Sequence, residues 1–260
     1  MTILDKIIER KKVEVELAKE KVSLAALQTY PLFSRDCYSL RDSILDPQRT
    51  GIIAEFKRAS PSKGLINGDV SVSEVVKGYQ AAGASAISVL TDADFFQGTL
   101  ADLTEARQAL QIPLLRKEFI IDRYQIAEAK AYGADIILLI AACLSSKEIE
   151  TLSIYAKSLG LSVLLEVHNE EELNRSIFDS IDAIGVNNRN LKDFSVSLDH
   201  SYDLATKIPD RFIKVSESGI SDSETIKALK KVGYKGFLIG ENFMRTESPQ
   251  EAIKAFVAAL

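Results

Sequence analysis

The sequence predicts an α/β fold: a (β/α)8 (TIM) barrel over residues 51–260, preceded by a helical extension over residues 1–50. Three observations predict it. Eight short aliphatic runs follow one another from Gly51 onward, stretches of helical period separate them, and helix-start signals recur at the junctions. Strands that alternate with helices form parallel βαβ units. Eight such units in a chain of 260 residues favour a closed barrel over an open doubly wound sheet.

Taken in order, residues 3–21 read as a charged amphipathic helix with Leu4, Ile7, Ile8 and Val15 on one side. Residues 22–50 are less regular, and Pro31 and Pro47 interrupt their apolar stretches. The predicted strands are 51–57 (GIIAEFK), 85–90 (SAISVL), 113–118 (PLLRKE), 135–140 (DIILLI), 162–167 (SVLLEV), 182–187 (DAIGVN), 211–216 (RFIKVS) and 236–240 (GFLIG). Helical stretches at 72–82, 99–109 and 145–159 lie between them. Capping-box patterns, in which a polar cap and an acid three residues on satisfy free backbone N–H groups, mark the junctions. They are Ser71 with Glu74, Ser145 with Glu148, Asn169 with Glu172, and Ser221 with Glu224; Ser248 is followed by Pro249 and Glu251.

The composition, 46% apolar and 27% charged, is that of a globular protein. A net charge of −5 and a pI near 5.3 argue against nucleic acid as the main partner, yet a local basic pocket can still take an anionic substrate. Cys37 and Cys143 are too few for a disulfide framework and fit a reducing compartment. Neither they nor His168 and His200 have metal-ligand spacing. The N-terminus is too charged for a signal peptide, and no apolar run is long enough to span a bilayer. A cytoplasmic protein with no membrane or nucleic-acid partner is expected, with a monomer as the working assembly.

Barrel strands alternate between the interior and the helix layer, and reaction centres sit at the C-terminal mouth. Taking the small or apolar residue deeper in each strand as the inward face aligns Ile53, Glu55 and Lys57; Leu115, Lys117 and Phe119; Leu164 and Glu166; Gly185, Asn187 and Arg189; and Ile213, Val215 and Glu217. The mouth then carries Glu55, Lys57, Lys117, Glu166, Asn187, Arg189 and Glu217. A lone buried Lys–Glu pair is usually structural. A ring this dense is hard to explain as stabilisation, because desolvated charges cost several kcal/mol each unless paired. The loops SESGIS (216–221) and IGENFM (239–244) each place a glycine at a strand end before a helix start, a geometry suited to phosphate. Gly219 or Gly240 alone would read as an ordinary turn. In the loop RASPSKG (58–64), Ser60 reads either as plain surface or as part of a phosphate cover. Phe96 and Phe119 read as core or as the wall for an aromatic ring.

The runs IIAEFKRASPSKG (52–64), LLRKEFIID (114–122), LLEVHNEEEL (164–173), IGVNNRNL (184–191), SESGI (216–220) and FLIGENFMR (237–245) resemble the motifs of the indole-3-glycerol phosphate synthase family. Several motifs in the right order along the whole barrel make the resemblance specific. It implies ring closure of 1-(2-carboxyphenylamino)-1-deoxyribulose 5-phosphate with loss of carbon dioxide and water, and no metal or organic cofactor. It also implies Lys117 as general acid, Glu166 as partner carboxylate and later proton acceptor, and Lys57 as partner of the substrate carboxylate. Glu55, Asn187 and Glu217 orient these groups. Ser60, Ser218, Gly219, Gly240 and Glu241 hold the phosphate, with Arg189 beside the site and Phe96 and Phe119 against the anthranilate ring. Burial and a second cation are expected to lower Lys117 toward neutrality. The sequence departs from the family pattern at Glu118, Arg123 and Asn188, and Glu118 is expected to point away from the barrel axis.

Four other readings compete. A phosphoribosylanthranilate-type isomerase needs Cys on the first strand, where Glu55 and Lys57 stand. A Schiff-base aldolase would use Lys117 as nucleophile. A retaining glycosidase built on Glu166 and Glu217 leaves both lysines and the phosphate loops unexplained. A non-catalytic sugar-phosphate-binding subunit would leave the lysine–glutamate pair idle.

Overall fold

Runs of branched aliphatic side chains suit a pleated surface buried on both faces, which is what a parallel barrel under a helical layer provides. The computed structural model describes residues 2–191 and 193–260. Its barrel strands are β1 (Ile52–Phe56), β2 (Ala86–Leu90), β3 (Leu114–Lys117), β4 (Ile136–Ile140), β5 (Ser162–Val167), β6 (Ala183–Asn187), β7 (Ile213–Glu217) and β8 (Gly236–Ile239). Each pairs in parallel with the next and β8 pairs with β1, so the sheet closes. This is the predicted barrel. The largest boundary difference is at β7, which begins at Ile213 because Phe212 donates back to the Pro209 carbonyl (3.1 Å) in a turn.

The inward parity read from the sequence holds. Ile53, Leu115, Leu164, Ile213 and Val215 pack together with Ala86, Leu138, Ala183 and Leu238 in the barrel interior. Residues of opposite parity, such as Ile52, Ala54 and Phe56, pack outward beneath the helices.

The helix starts agree with the sequence at Ser71, Ser145 and Asn169, whose side chains accept from the N–H three residues on, but of the three only Ser145 with Glu148 forms the full capping box. Two readings are corrected. The helix Ser223–Lys231 is capped by Asp222, not Ser221, because the Asp222 carboxylate reaches the Thr225 N–H (2.8 Å). Ser248 makes no side-chain cap, so Pro249 alone marks that start. Capping boxes at Thr99–Asp102 and Asp122–Gln125 are additional. The second leaves Arg123 as an ordinary first helical residue.

The extension serves both ends of the barrel. The short helix Leu40–Leu45 sends Leu40 and Ile44 into the interior cluster, away from the mouth. The helix Ile3–Lys21 runs beside the mouth and buries Ile7, Lys11 and Val15, one residue per turn. Lys11 lies on this stripe because its ammonium is satisfied by Asp92 (2.9 Å), Glu118 (3.0 Å) and Glu14 (2.6 Å). A lysine spacing its charge with apolar neighbours on a buried face would otherwise be costly.

A second charged knot ties the extension to β4. The fully buried Asp135 accepts from Arg107 and Arg35 (2.6 Å each) and from the N–H groups of Tyr38 (2.8 Å) and Leu114 (2.9 Å). Removing one member of a buried pair leaves the others desolvated and unmatched, at a cost of about 3–5 kcal/mol. Asp135→Ala is therefore expected to lose stability on that scale in urea unfolding; a loss under about 1 kcal/mol would show that the knot is solvated.

Candidate active site

Inward parity brings the polar ends of β1, β3, β5, β6 and β7 to one place. The Lys117 ammonium donates to Glu217 Oε2 (2.8 Å) and Glu166 Oε2 (3.1 Å). Asn187 donates to Glu166 Oε1 (3.0 Å), and its own Oδ1 accepts from the Arg189 N–H (3.0 Å) and Ser218 Oγ (2.9 Å). Lys57 pairs with Glu55 on the same strand face (2.8 Å). Gly185 is required by close approach: a β-carbon there would run into the Glu217 carboxylate.

These groups line a cleft with two lobes. One is bounded by Phe96, Phe119, Leu138 and Ile140 together with Lys117 and Glu166. The Phe96 and Phe119 rings lie 6.1 Å apart. The other lobe is formed by the loops after β7 and β8, with Ser218, Gly219, Gly240, Glu241 and Arg245. Glu55, Lys57 and Arg189 face both lobes. Gly219 takes a positive φ of 78°, which glycine adopts without strain. Arg189 reaches Glu241 Oε2 (3.4 Å) across the cleft.

Every residue assigned to the site from the sequence lines one lobe or the other. Ser60 lines the aromatic lobe rather than the loop lobe, because Ala59–Ser60 folds back onto Gly64–Leu65 in a short antiparallel ladder. Sequence reasoning missed Ile3, Leu4 and Ile7, which cover the aromatic lobe. The apolar face of the first helix was the available signal. It also missed Leu191 and Phe194 from the loop after β6.

The electrostatics correct one expectation. Burial by itself would lower Lys117, but Glu217, Glu166 and Glu55 outweigh it and hold the ammonium above its ordinary range. Lys57, the other lysine of the mouth, is paired with Glu55. Burial pushes Glu217 up to about 7, helped by the charges of Glu166 and Glu55 and opposed by Lys117. Burial also acts to raise Glu166, yet Lys117, His168 and the Asn187 hydrogen bond bring it below its ordinary value. One ammonium thus sits between a carboxylate held below its ordinary value and one pushed above it.

The three departures from the family pattern leave this arrangement intact. Glu118 is buried with its carboxylate engaged by Thr91 (2.8 Å) and Lys11 (3.0 Å), though it also borders the aromatic lobe. Asn188 is fully buried and donates to the Glu217 and Ser218 carbonyls (3.0 Å each), holding the loops after β6 and β7 together.

The family model described as indole-3-glycerol phosphate synthase matches residues 4–256 of the chain. Curated relatives of that name include one from Bacteroides thetaiotaomicron, 46% identical over 99% of this chain and 98% of its own length. Another, from Aliarcobacter butzleri, is 44% identical over 98% of each. A solved tryptophan synthase complex from Pyrococcus furiosus contains a chain similar in fold, with a TM-score of 0.59 at 18% identity, covering 82% of this chain and 98% of that one.

Proposed function

The chain belongs to the indole-3-glycerol phosphate synthase family, and from that premise we propose how its residues carry out the reaction. The activity is a carboxy-lyase step of tryptophan biosynthesis: ring closure of 1-(2-carboxyphenylamino)-1-deoxyribulose 5-phosphate to indole-3-glycerol phosphate, with loss of carbon dioxide and water.

The anthranilate ring stacks in the aromatic lobe against Phe96 and Phe119. The phosphate takes hydrogen bonds from Ser218 and from the backbone N–H groups of Gly219, Gly240 and Glu241. Ser60 closes over it as the loop after β1 moves in, and Arg189 flanks it. Lys57 exchanges Glu55 for the substrate carboxylate. Lys117 donates its proton to the ketose carbonyl oxygen as the ring carbon attacks, and the new C–C bond forms. Carbon dioxide then leaves with its bonding electrons returned to the ring system. Finally Glu166 removes a proton from the new ring while Lys57, released when the carboxylate leaves as carbon dioxide, protonates the hydroxyl, which departs as water. Glu55, Asn187 and Glu217 orient these groups. A lysine kept protonated by two carboxylates is a proton donor and a poor imine-forming nucleophile, which sets this reading apart from Schiff-base aldolase chemistry.

The observation that carries the reading is the Lys117 ammonium shared between Glu166 (3.1 Å) and Glu217 (2.8 Å) in the wall of the aromatic lobe. The test is to mix the purified protein with the substrate and follow indole fluorescence, against a low background because the chain has no tryptophan. A signal growing with turnover is expected. Substrate bound in calorimetry with no indole formed would make the protein a binding subunit.

The same reading makes the protein a cytoplasmic, cofactor-independent monomer whose partner is a small sugar phosphate. Both cysteines are free thiols, and among the described residues no helix is long and apolar enough to cross a membrane.

A further inference from the structure

His168 stands beside Glu166, and the reaction scheme gives it no part. It stands two residues beyond Glu166, just past the end of β5, with a side chain only 13% exposed. Its Nδ1 lies 3.2 Å from Glu172 Oε2, the carboxylate oxygen that also accepts its backbone N–H (2.9 Å). Its Nε2 lies 3.6 Å from Glu166 Oε1, is shielded from solvent, and has no hydrogen-bond partner among the described residues. Both ring nitrogens therefore face carboxylate oxygens, and only the imidazolium form offers a proton to each.

We propose that His168 is a positioning residue whose imidazolium, anchored by Glu172, keeps Glu166 ionised and aimed for proton removal. This rests on the reading of Glu166 as the reaction's proton acceptor. Lys117 commands Glu166 Oε2, and Asn187 and His168 together command Oε1. When the Lys117 proton passes to the substrate, Glu166 loses a cationic neighbour while it must still act as a base. A second cation on its other oxygen prevents premature protonation at that stage.

The groups facing His168 agree with a charged ring. Burial opposes the charge, but Glu172, Glu166 and Glu217 outweigh it and raise the imidazole above its ordinary value. The nearby Cys143 thiol is pushed up by burial and by Glu166 and Glu172, so it stays neutral. Glu172 is held ionised by His168, with Arg175 on the same helix adding to the effect, and Lys117 faces Glu166 from β3.

Two measurements test the proposal. His168→Gln keeps a donor without the charge. The acid limb of its kcat/KM profile is expected to move up by about one pH unit, since an opposite charge within ~4–6 Å lowers a carboxyl by one to three. Turnover then falls about tenfold at pH values on that limb and changes little on the plateau. Should that variant not fold, the second measurement decides alone. The chain has only two histidines, so His200→Gln leaves one imidazole signal for NMR titration. His168 is expected to titrate above the ordinary value of ~6.5, and Glu166→Gln to lower its midpoint by about one unit. An unmoved acid limb in folded His168→Gln, or a midpoint indifferent to Glu166→Gln, overturns the proposal. Undiminished turnover in Glu166→Gln would instead sink the underlying reading of the site, which separates the two failures.

Discussion

Lys117→Ala is expected to lower kcat at least about 10²–10⁴-fold, the usual contribution of a positioned proton donor, while substrate still binds. The ammonium stands between Glu166 and Glu217, and among the described residues no other cation contacts either of their Oε2 atoms. On the proposed mechanism its loss removes the proton source for the ketose oxygen, and it takes from two carboxylates the ammonium they share. The aromatic and loop lobes remain, so KM should move far less than kcat. Stability should change with a definite sign. Without the ammonium, Glu217 loses the one charge that opposes its burial and rises further above the unfolded carboxyl value of ~4.3, while His168 and Asn187 still hold Glu166. A raised carboxyl contributes stability at low pH that is lost as pH rises through its folded pKa. The variant should therefore melt lower at pH 8 than at pH 5, relative to the parent protein. Single-turnover kinetics and pH-dependent melts check both statements, and near-normal turnover would remove Lys117 from the chemistry.

Glu166→Gln is expected to abolish steady turnover to a similar degree, about 10²–10⁴-fold, without loss of fold. On the proposed mechanism the amide cannot accept the proton released in the last step, though it still fills the space beside Asn187 and Lys117. The substitution also removes one of two carboxylates competing for a single ammonium. Glu217 should then fall from about 7, because the Glu166 charge that helps hold it up is gone. Thermal melting should show stability equal to or above that of the parent, the usual trade between a strained site and a stable fold. Loss of activity together with a large drop in melting temperature would instead mark Glu166 as structural.

Much of this site was legible in the chain because a strand has a period of two. Once Ile53, Leu115, Leu164 and Val215 are taken as interior, Glu55, Lys117, Glu166 and Glu217 follow on the same face, and the structure keeps that parity. The glycines at 219 and 240 marked the loops after β7 and β8 in the same way, through local geometry. Features that depend on distant partners were not legible. The burial of Lys11 has no local signal; it follows from Asp92 and Glu118 arriving from two other strand ends. The cover that Ile3, Leu4 and Ile7 place over the aromatic lobe depends on where the first helix docks.

The charge states divide along the same line. Residue types and spacing alone determined that an eight-stranded parallel barrel would form and which face of each strand would carry acids and lysines, because backbone periodicity and side-chain burial are local rules. Whether Lys117 sits nearer to cations or to carboxylates was decided by the closure of the barrel, which sets it between Glu166 and Glu217 and leaves Lys57 to Glu55. Electrostatic energy depends on distance and desolvation rather than on order along the chain, so only the tertiary structure could reverse the expected direction of that shift.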